Sequence, residues 1–230
     1  MSAKISPNAP LHPLLAQYLV QLSTNPLRTK AITSATFSFL QEVIGSHAAG
    51  LPPSPTPKDA SVLTKALARA HINAKAFKMA LYGFSVSAPL GHVLVGLLQK
   101  AFAGKVGLKY RLAQLLASNL LIAPIQTTAF LASMAMINGA KSVEDVVRTV
   151  RAGFFTVIRV NWVVSPLSMV VAQQFIPVEL WVPFFNIIQF ALGTIFNIKV
   201  KRLRLAAAKR EEEQKERERA ESAAANLNDV

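Results

Sequence analysis

The stretch Met79–Leu98, MALYGFSVSAPLGHVLVGLL, contains 20 residues and no formally charged side chain. The hydrocarbon core of a bilayer is about 30 Å thick, and a helix of about 20 mainly apolar residues crosses it. In lipid, a spanning segment must satisfy its own backbone hydrogen bonds, which an α-helix does. This stretch therefore predicts a transmembrane helix, and it sets the fold class of the chain around it.

Other apolar stretches extend the same pattern along the chain. Leu112–Ile137 and Leu180–Ile198 also lack charged side chains, whereas Ala31–Ala49 is weaker because it carries polar residues, including Glu42. A fifth stretch, Ala152–Ile176, contains Arg159, and an arginine at the centre of a span costs about 2.5–3.5 kcal/mol on insertion scales. We expect this stretch to be a polar-faced helix packed against the others, or partly re-entrant. The prediction is an all-α integral membrane bundle, residues 31–198, with about four transmembrane helices plus this additional polar-faced helix.

Composition agrees with a membrane protein and argues against a nucleic-acid partner. The chain is 52% hydrophobic and 16% charged, with a net charge of +13, whereas soluble domains are about 25% charged. The cations lie mostly between apolar runs, as expected for residues that flank spans and face anionic lipid. No motif of a nucleic-acid-binding fold accompanies them. Only four acids precede residue 179: Glu42, Asp59, Glu144 and Asp145.

The first 30 residues predict a segment at the membrane interface. Apolar residues recur at helical spacing beyond Pro13, and Pro26 is expected to end that helix. Arg28 and Lys30 then fall at headgroup level, just before the first crossing. A helix lying in the interface and a helix packed on the bundle are both compatible with the pattern. Its apolar face consists of Leu11, Leu14, Leu15, Tyr18, Leu19 and Leu22.

Residues 199–230 form a basic neck and a charged tail. The sequence KVKRLRLAAAKR follows the last apolar stretch directly and would be costly to translocate, which favours the cytosolic side. Lys209–Glu221 alternates acids and bases without an apolar stripe. We interpret it as a solvated single helix, with a docking surface for a protein partner as the alternative.

Residues suited to catalysis or metal binding do not cluster in the sequence. Cysteine is absent, so disulfides and thiolate chemistry are excluded. His12, His47, His71 and His92 show no i,i+4 pair that would place two ligands on one helical face. We expect no enzymatic activity and no cofactor.

Polar residues within the apolar stretches predict contacts between helices or with water. Asn119, Gln126 and Ser133 recur every seven residues, so they form either interhelical hydrogen bonds or the lining of a water-filled path, together with Arg159 and Asn161.

Two further sets of residues predict how helices meet. Gly83, Ser87 and Gly91 lie four apart and predict a close helix contact. Glu42 is the one acid within an apolar stretch, so it is a candidate partner for Arg159; alternatively, both side chains reach opposite interfaces.

Several segments together resemble the small four-helix peroxisomal membrane protein family, which also has relatives in the mitochondrial inner membrane. YLVQLSTNPLRTKAIT (18–33) resembles its opening pattern and is most similar to the peroxisomal branch, and LYGFSVSAPLGH (81–92) resembles a second signature. Ser165, Met169 and Trp181 depart from the residues usual there. The family's C-terminal signature is matched at Asn161, Trp162, Pro166, Phe175, Pro177 and Asn186.

This resemblance implies an integral membrane protein of the peroxisome, with the mitochondrial inner membrane as the alternative. Some relatives behave as pores for small metabolites, and others organise organelles or, in filamentous fungi, sort peroxisome-derived bodies. A pore for small metabolites is therefore our first functional expectation, with a non-conducting organising or sorting protein as the second. The resemblance also implies that the segment with Tyr18, Pro26, Arg28 and Lys30 acts in organelle targeting. The expected partners are membrane lipids, further copies of the chain in an oligomer, and a protein at the tail.

Overall fold

The computed structural model describes residues 12–53, 55–57, 59, 61–105, 107–177 and 180–228, and all of the regular structure there is helical. This confirms the all-α prediction. Leu11, which we predict to belong to the first apolar face, lies outside the described residues. The helices are α1 (Pro13–Thr24), α2 (Pro26–Ala48), α3 (Val62–Arg69), α4 (Ala74–Tyr82), α5 (Ala88–Ala101), α6 (Leu108–Ala117), α7 (Ala123–Ile137), α8 (Val143–Phe175) and α9 (Trp181–Asn228).

Among the residues that the structure describes, four helical stretches are long and apolar enough to cross a membrane, which confirms the predicted number. They are Ala74–Ala101, Leu112–Ile137, Val143–Phe175 and Pro183–Ala220. The stretch containing Arg159 thus counts among the four, because it belongs to a continuous 33-residue helix that passes through Pro166 without a re-entrant break. Our expectation that Ala152–Ile176 would not be an independent span is wrong by this measure.

The polar helix that accompanies the four apolar stretches is α2, and not the helix that contains Arg159 as we predicted. Its 23 residues correspond to about 34 Å, long enough for a crossing, yet α2 is not among the four apolar stretches. Its polar residues Ser38, Glu42 and Ser46 are buried against neighbouring helices. The mean hydropathy of α2 is low because the side of the helix that packs against other helices carries these polar residues.

The helices pass along the bundle in alternating directions. Glu42 of α2 meets Lys75 of α4, while Ser34, earlier in α2, meets Gly83, so α2 and α4 are antiparallel. The same reasoning makes α7 and α8 antiparallel, since Trp162 lies against Asn119 and Gly153 against Leu131.

Helix α9 runs parallel to α2. The side chain of Gln41 donates to the carbonyl of Phe190 at 3.2 Å, and Arg202, later in α9, donates to the carbonyl of Ala48 at 2.9 Å. The start of α2 and the tail of α9 therefore lie at opposite ends of the bundle.

In the described part of the chain, two π-helical turns interrupt the first two of the four apolar stretches. They cover Gly83–Ser87 and Ser118–Ile122, and each ends directly before an Ala-Pro pair. Proline has no N–H to donate, and its ring clashes with the carbonyl one turn earlier. A wider turn relieves that clash and leaves carbonyls available to other donors. The carbonyl of Asn119 accepts such a bond from Trp162 Nε1 at 3.0 Å.

Candidate functional site: a buried ionic cluster at the neck of the last helix

Glu42 is the centre of a cluster that joins three helices. Its side chain is 1% exposed, and Oε1 lies 2.9 Å from Lys201 Nζ of α9 and 3.3 Å from Lys75 Nζ of α4. Asn197 Nδ2 donates to Oε2 at 3.1 Å and to the carbonyl of Gln41 at 2.9 Å. One carboxylate therefore holds α2, α4 and α9 together.

Lys201 has all three of its ammonium hydrogens engaged, which is the full donor capacity of the group. Besides the carboxylate, Nζ contacts the carbonyl of Glu42 at 3.0 Å and Ser46 Oγ at 2.6 Å. Lys201 is itself only 3% exposed. Because burial of an unpaired ammonium would be unfavourable, this saturation explains how a lysine can be buried between two helices.

Small residues allow the close approach that the cluster needs. A Cβ at Gly45 would lie 2.8 Å from Asn197 Nδ2, and a Cβ at Gly193 would collide with the side chain of Gln41. Both glycines lie in the α2–α9 contact. The backbones are therefore close enough for side chains of one helix to bond carbonyls of the other.

His71 lies beside the cluster, in the connection between α3 and α4. The residue is buried, has a φ of 56°, and its ring centroid is 5.7 Å from that of His47. Burial lowers the pKa of His71, and the neighbouring His47 and Lys201 lower it further. The neutral form is thus favoured, so His71 adds no further positive charge near Lys201.

The prediction of an ion pair between Glu42 and Arg159 is wrong, because Glu42 pairs with Lys75 and Lys201. Arg159 is exposed on α8, and α8 packs mainly against α7, whereas Glu42 is enclosed by α4 and α9. Sequence reasoning missed Lys75, Lys201 and Asn197. One signal was present: Glu42 and Ser46, like Asn197 and Lys201, are four residues apart and so share a helical face.

The predicted polar stripe begins in the π-helical turn before α7 and continues along α7. Asn119 donates from Nδ2 to the carbonyl of Leu115 in its own helix at 3.1 Å. Gln126 lies against α5, where a Cβ at Gly91 would be 3.0 Å from its Nε2. These residues are half-buried, as are Ser133 and Asn161.

The predicted packing glycines serve two different interfaces. A Cβ at Gly83 would lie 2.5 Å from the carbonyl oxygen of Ser34 in α2, whereas Gly91 faces Gln126 of α7. Gly83 begins the π-helical turn that ends at Ser87, and Gly91 lies one turn further along, in α5.

One residue of the C-terminal signature contacts the first helix. Asn186 Nδ2 donates to Tyr18 Oη at 3.3 Å, linking α9 to α1.

Helix α1 ends at Thr24 and Pro26 begins α2, which places the helix break where the sequence predicts it. Arg28 is exposed and Lys30 half-buried on the first turns of α2; Phe175 is exposed, and Pro166 and Pro177 are half-buried.

The cluster is suited to holding helices and not to chemistry on a substrate. The carboxylate of Glu42 is engaged by Lys75, Lys201 and Asn197, and the ammonium of Lys201 by three acceptors, so both groups are used in contacts between helices. Within the described residues no group of three or more His, Cys, Asp or Glu side chains could hold a metal ion.

Comparison with known proteins agrees with this architecture. The family model described as the Mpv17 / PMP22 family matches residues 135–197. The chain is 48% identical over 190 residues to the Woronin body membrane protein wscA of Aspergillus fumigatus, covering 83% of this chain and 78% of that protein. It is 43% identical to the Woronin sorting complex protein of Neurospora crassa, covering 86% of this chain and 60% of the relative.

A more distant relative is the peroxisomal membrane protein 2 of Bos taurus, 27% identical over 81% of this chain and 91% of that protein. No solved structure matches the chain. The resemblance drawn from the sequence motifs is confirmed: the chain is a multi-pass membrane protein that belongs to the Mpv17/PMP22 family.

Proposed function

We propose that this chain is a non-enzymatic organising protein of the peroxisomal membrane, acting in the sorting of Woronin bodies, with the tail of α9 as its docking element. The names of the Aspergillus and Neurospora relatives support this role. The structural observation that carries it is the continuity of α9, which runs for 48 residues from inside the bundle to Asn228.

The geometry of α9 suits a docking element. Lys201 and Arg202 bind the last turns of α2, so the helix is fixed where it leaves the bundle. Beyond Arg204 it continues through Asn228, which at 1.5 Å per residue corresponds to about 36 Å. The side chains of residues 206–220 are exposed. A partner can therefore bind the charged helix well away from the lipid surface.

Truncation after Arg204 tests this proposal. We expect membrane insertion and stability to be unchanged, because every described contact of α9 with Glu42 and Ala48 is made by Arg202 or earlier residues. Partner recruitment and organelle sorting should be lost, measured by co-purification and by imaging of the organelle.

A matched control replaces residues 209–221 with a helix-forming alanine-glutamine sequence of equal length. This variant keeps the helix but removes its charges, so it should also fail to recruit. Sorting that survives both changes would overturn the role of the tail.

Localisation is tested by imaging the tagged protein beside peroxisomal and mitochondrial markers. The proposal requires coincidence with the peroxisomal marker. Exclusive coincidence with the mitochondrial marker would instead support an inner-membrane protein.

A second candidate function is a pore for small metabolites, formed by one bundle or by an oligomer. The observation that favours it is the half-buried position of Asn119, Gln126, Ser133 and Asn161 within the membrane-spanning helices. Half-buried polar groups in a lipid environment are stabilised by contact with water or with other polar groups.

Planar-bilayer recording of the purified protein tests the pore. If these residues line it, Gln126→Leu should reduce single-channel conductance severalfold, while Thr128→Leu, an exposed position two residues away, should leave it unchanged. Lack of conductance in repeated reconstitutions of the parent protein would contradict a pore.

A further inference from the structure

Helix α3 turns its large apolar side chains away from the protein. Ala68 is the residue of this helix that is buried, at 8% exposure, whereas Val62 and Leu63 are 85% and 69% exposed. Successive residues in an α-helix are about 100° apart. Val62 and Leu63 consequently lie on the side opposite Ala68, and Leu67, 39% exposed, lies next to Leu63 on the same face.

This outward apolar face lies at the edge of a membrane-spanning helix. Helix α3 ends at Arg69, and the apolar stretch Ala74–Ala101 begins shortly afterwards. Phe77 and Leu81, one turn apart on α4, are 60% and 64% exposed and extend the apolar surface along the span. The outward face of α3 therefore lies next in the chain to a spanning helix whose exposed apolar side chains face lipid.

Exposed cations surround the same end of the bundle. Lys75 and Lys201 both contact Glu42, which places the start of α4 beside the neck of α9. Glu42 carries one negative charge against these two positive ones. The exposed cations on α3, α4 and the neck of α9 are Arg69, Lys78, Lys199, Arg202 and Arg204. Anionic headgroups are complementary to such a surface, because a negatively charged leaflet attracts each Lys or Arg that lies near it.

An eight-residue helix is marginal in water on its own, and α3 packs only lightly on the bundle. An amphipathic helix gains stability by burying its apolar face at the boundary of headgroups and acyl chains. We propose that α3 is an in-plane anchor in an anionic leaflet, with Val62, Leu63 and Leu67 among the acyl chains and the neighbouring cations on the lipid phosphates. The anchor is on the same side of the membrane as the tail of α9.

Single-cysteine labelling tests this proposal directly, because the natural chain contains no cysteine. Leu63→Cys is labelled with an environment-sensitive fluorophore in nanodiscs that hold one copy of the full chain and contain phosphatidylserine. We expect blue-shifted emission, strong quenching by lipid-attached spin labels and severalfold weaker quenching by aqueous iodide than at Thr64→Cys. Thr64 is the matched control because it is exposed, adjacent in sequence and rotated away from the apolar face.

Three outcomes would overturn the proposal of an anchor in an anionic leaflet. Equal iodide quenching at the two positions would place the apolar face in water. Protection that appears only when several copies share a disc would identify a second copy of the chain as its cover. Equal insertion in discs of phosphatidylcholine alone would remove the role of anionic headgroups.

Discussion

Replacing Glu42 with alanine is expected to lower the free energy of unfolding by about 3–5 kcal/mol, the usual cost of leaving the partner of a buried ion pair uncompensated. Lys201 would lose its carboxylate while remaining enclosed between α2 and α9, and Asn197 Nδ2 would lose one acceptor. The measurement is reversible unfolding of the purified protein in mixed micelles, followed by helical circular dichroism.

Two controls separate this effect from a general loss of charge. Glu144→Ala removes an exposed carboxylate from the first turn of α8, and we expect a change below about 1 kcal/mol. The double variant Glu42→Met/Lys201→Met replaces the pair with apolar side chains and should recover most of the lost stability. Lys75, 28% exposed, can then turn its ammonium to water. If Glu42→Ala unfolds like the parent protein, the cluster does not stabilise the bundle.

Gly83→Ala is expected to destabilise the bundle by about 1–3 kcal/mol, as overpacking of a close contact usually does. The added methyl would lie 2.5 Å from the carbonyl oxygen of Ser34 and 2.7 Å from Ser38 Oγ, so α2 and α4 must move apart. Backbone atoms cannot relieve this contact by changing a rotamer. The same unfolding measurement quantifies the loss.

Gly96 provides the matched control within the same apolar stretch. Among the described residues, and apart from the adjacent backbone of its own helix, no heavy atom lies within 4 Å of a Cβ at this position. Gly96→Ala should therefore be neutral or raise stability by up to about 1 kcal/mol, through the better helix propensity of alanine. Equal effects of the two substitutions would show that the contact between Gly83 and α2 is not tight.

The position of the membrane-spanning helices was predictable because burial in lipid depends on the composition of each segment by itself. Leu112–Ile137 is reproduced residue for residue, and Met79–Leu98 lies inside Ala74–Ala101. Hydropathy was misleading about which of α2 and α8 is the polar helix. An average over all faces of a helix does not distinguish residues that contact protein from residues that contact lipid. Serines and Glu42 lower the average in α2 although they face the protein, while Arg159 is outweighed in a helix of 33 residues.

The sequence by itself determined that this chain is a helical membrane protein with an acid inside an apolar stretch, a helix break at Pro26 and a charged tail. Only the tertiary structure decided that Glu42 binds Lys75 and Lys201 and that α9 runs parallel to α2. The physical reason is that helix formation and lipid burial depend on residues close together in the chain. An ion pair between residues 42 and 201 depends on which helices are neighbours, and the small residues at Gly45 and Gly193 permit that approach.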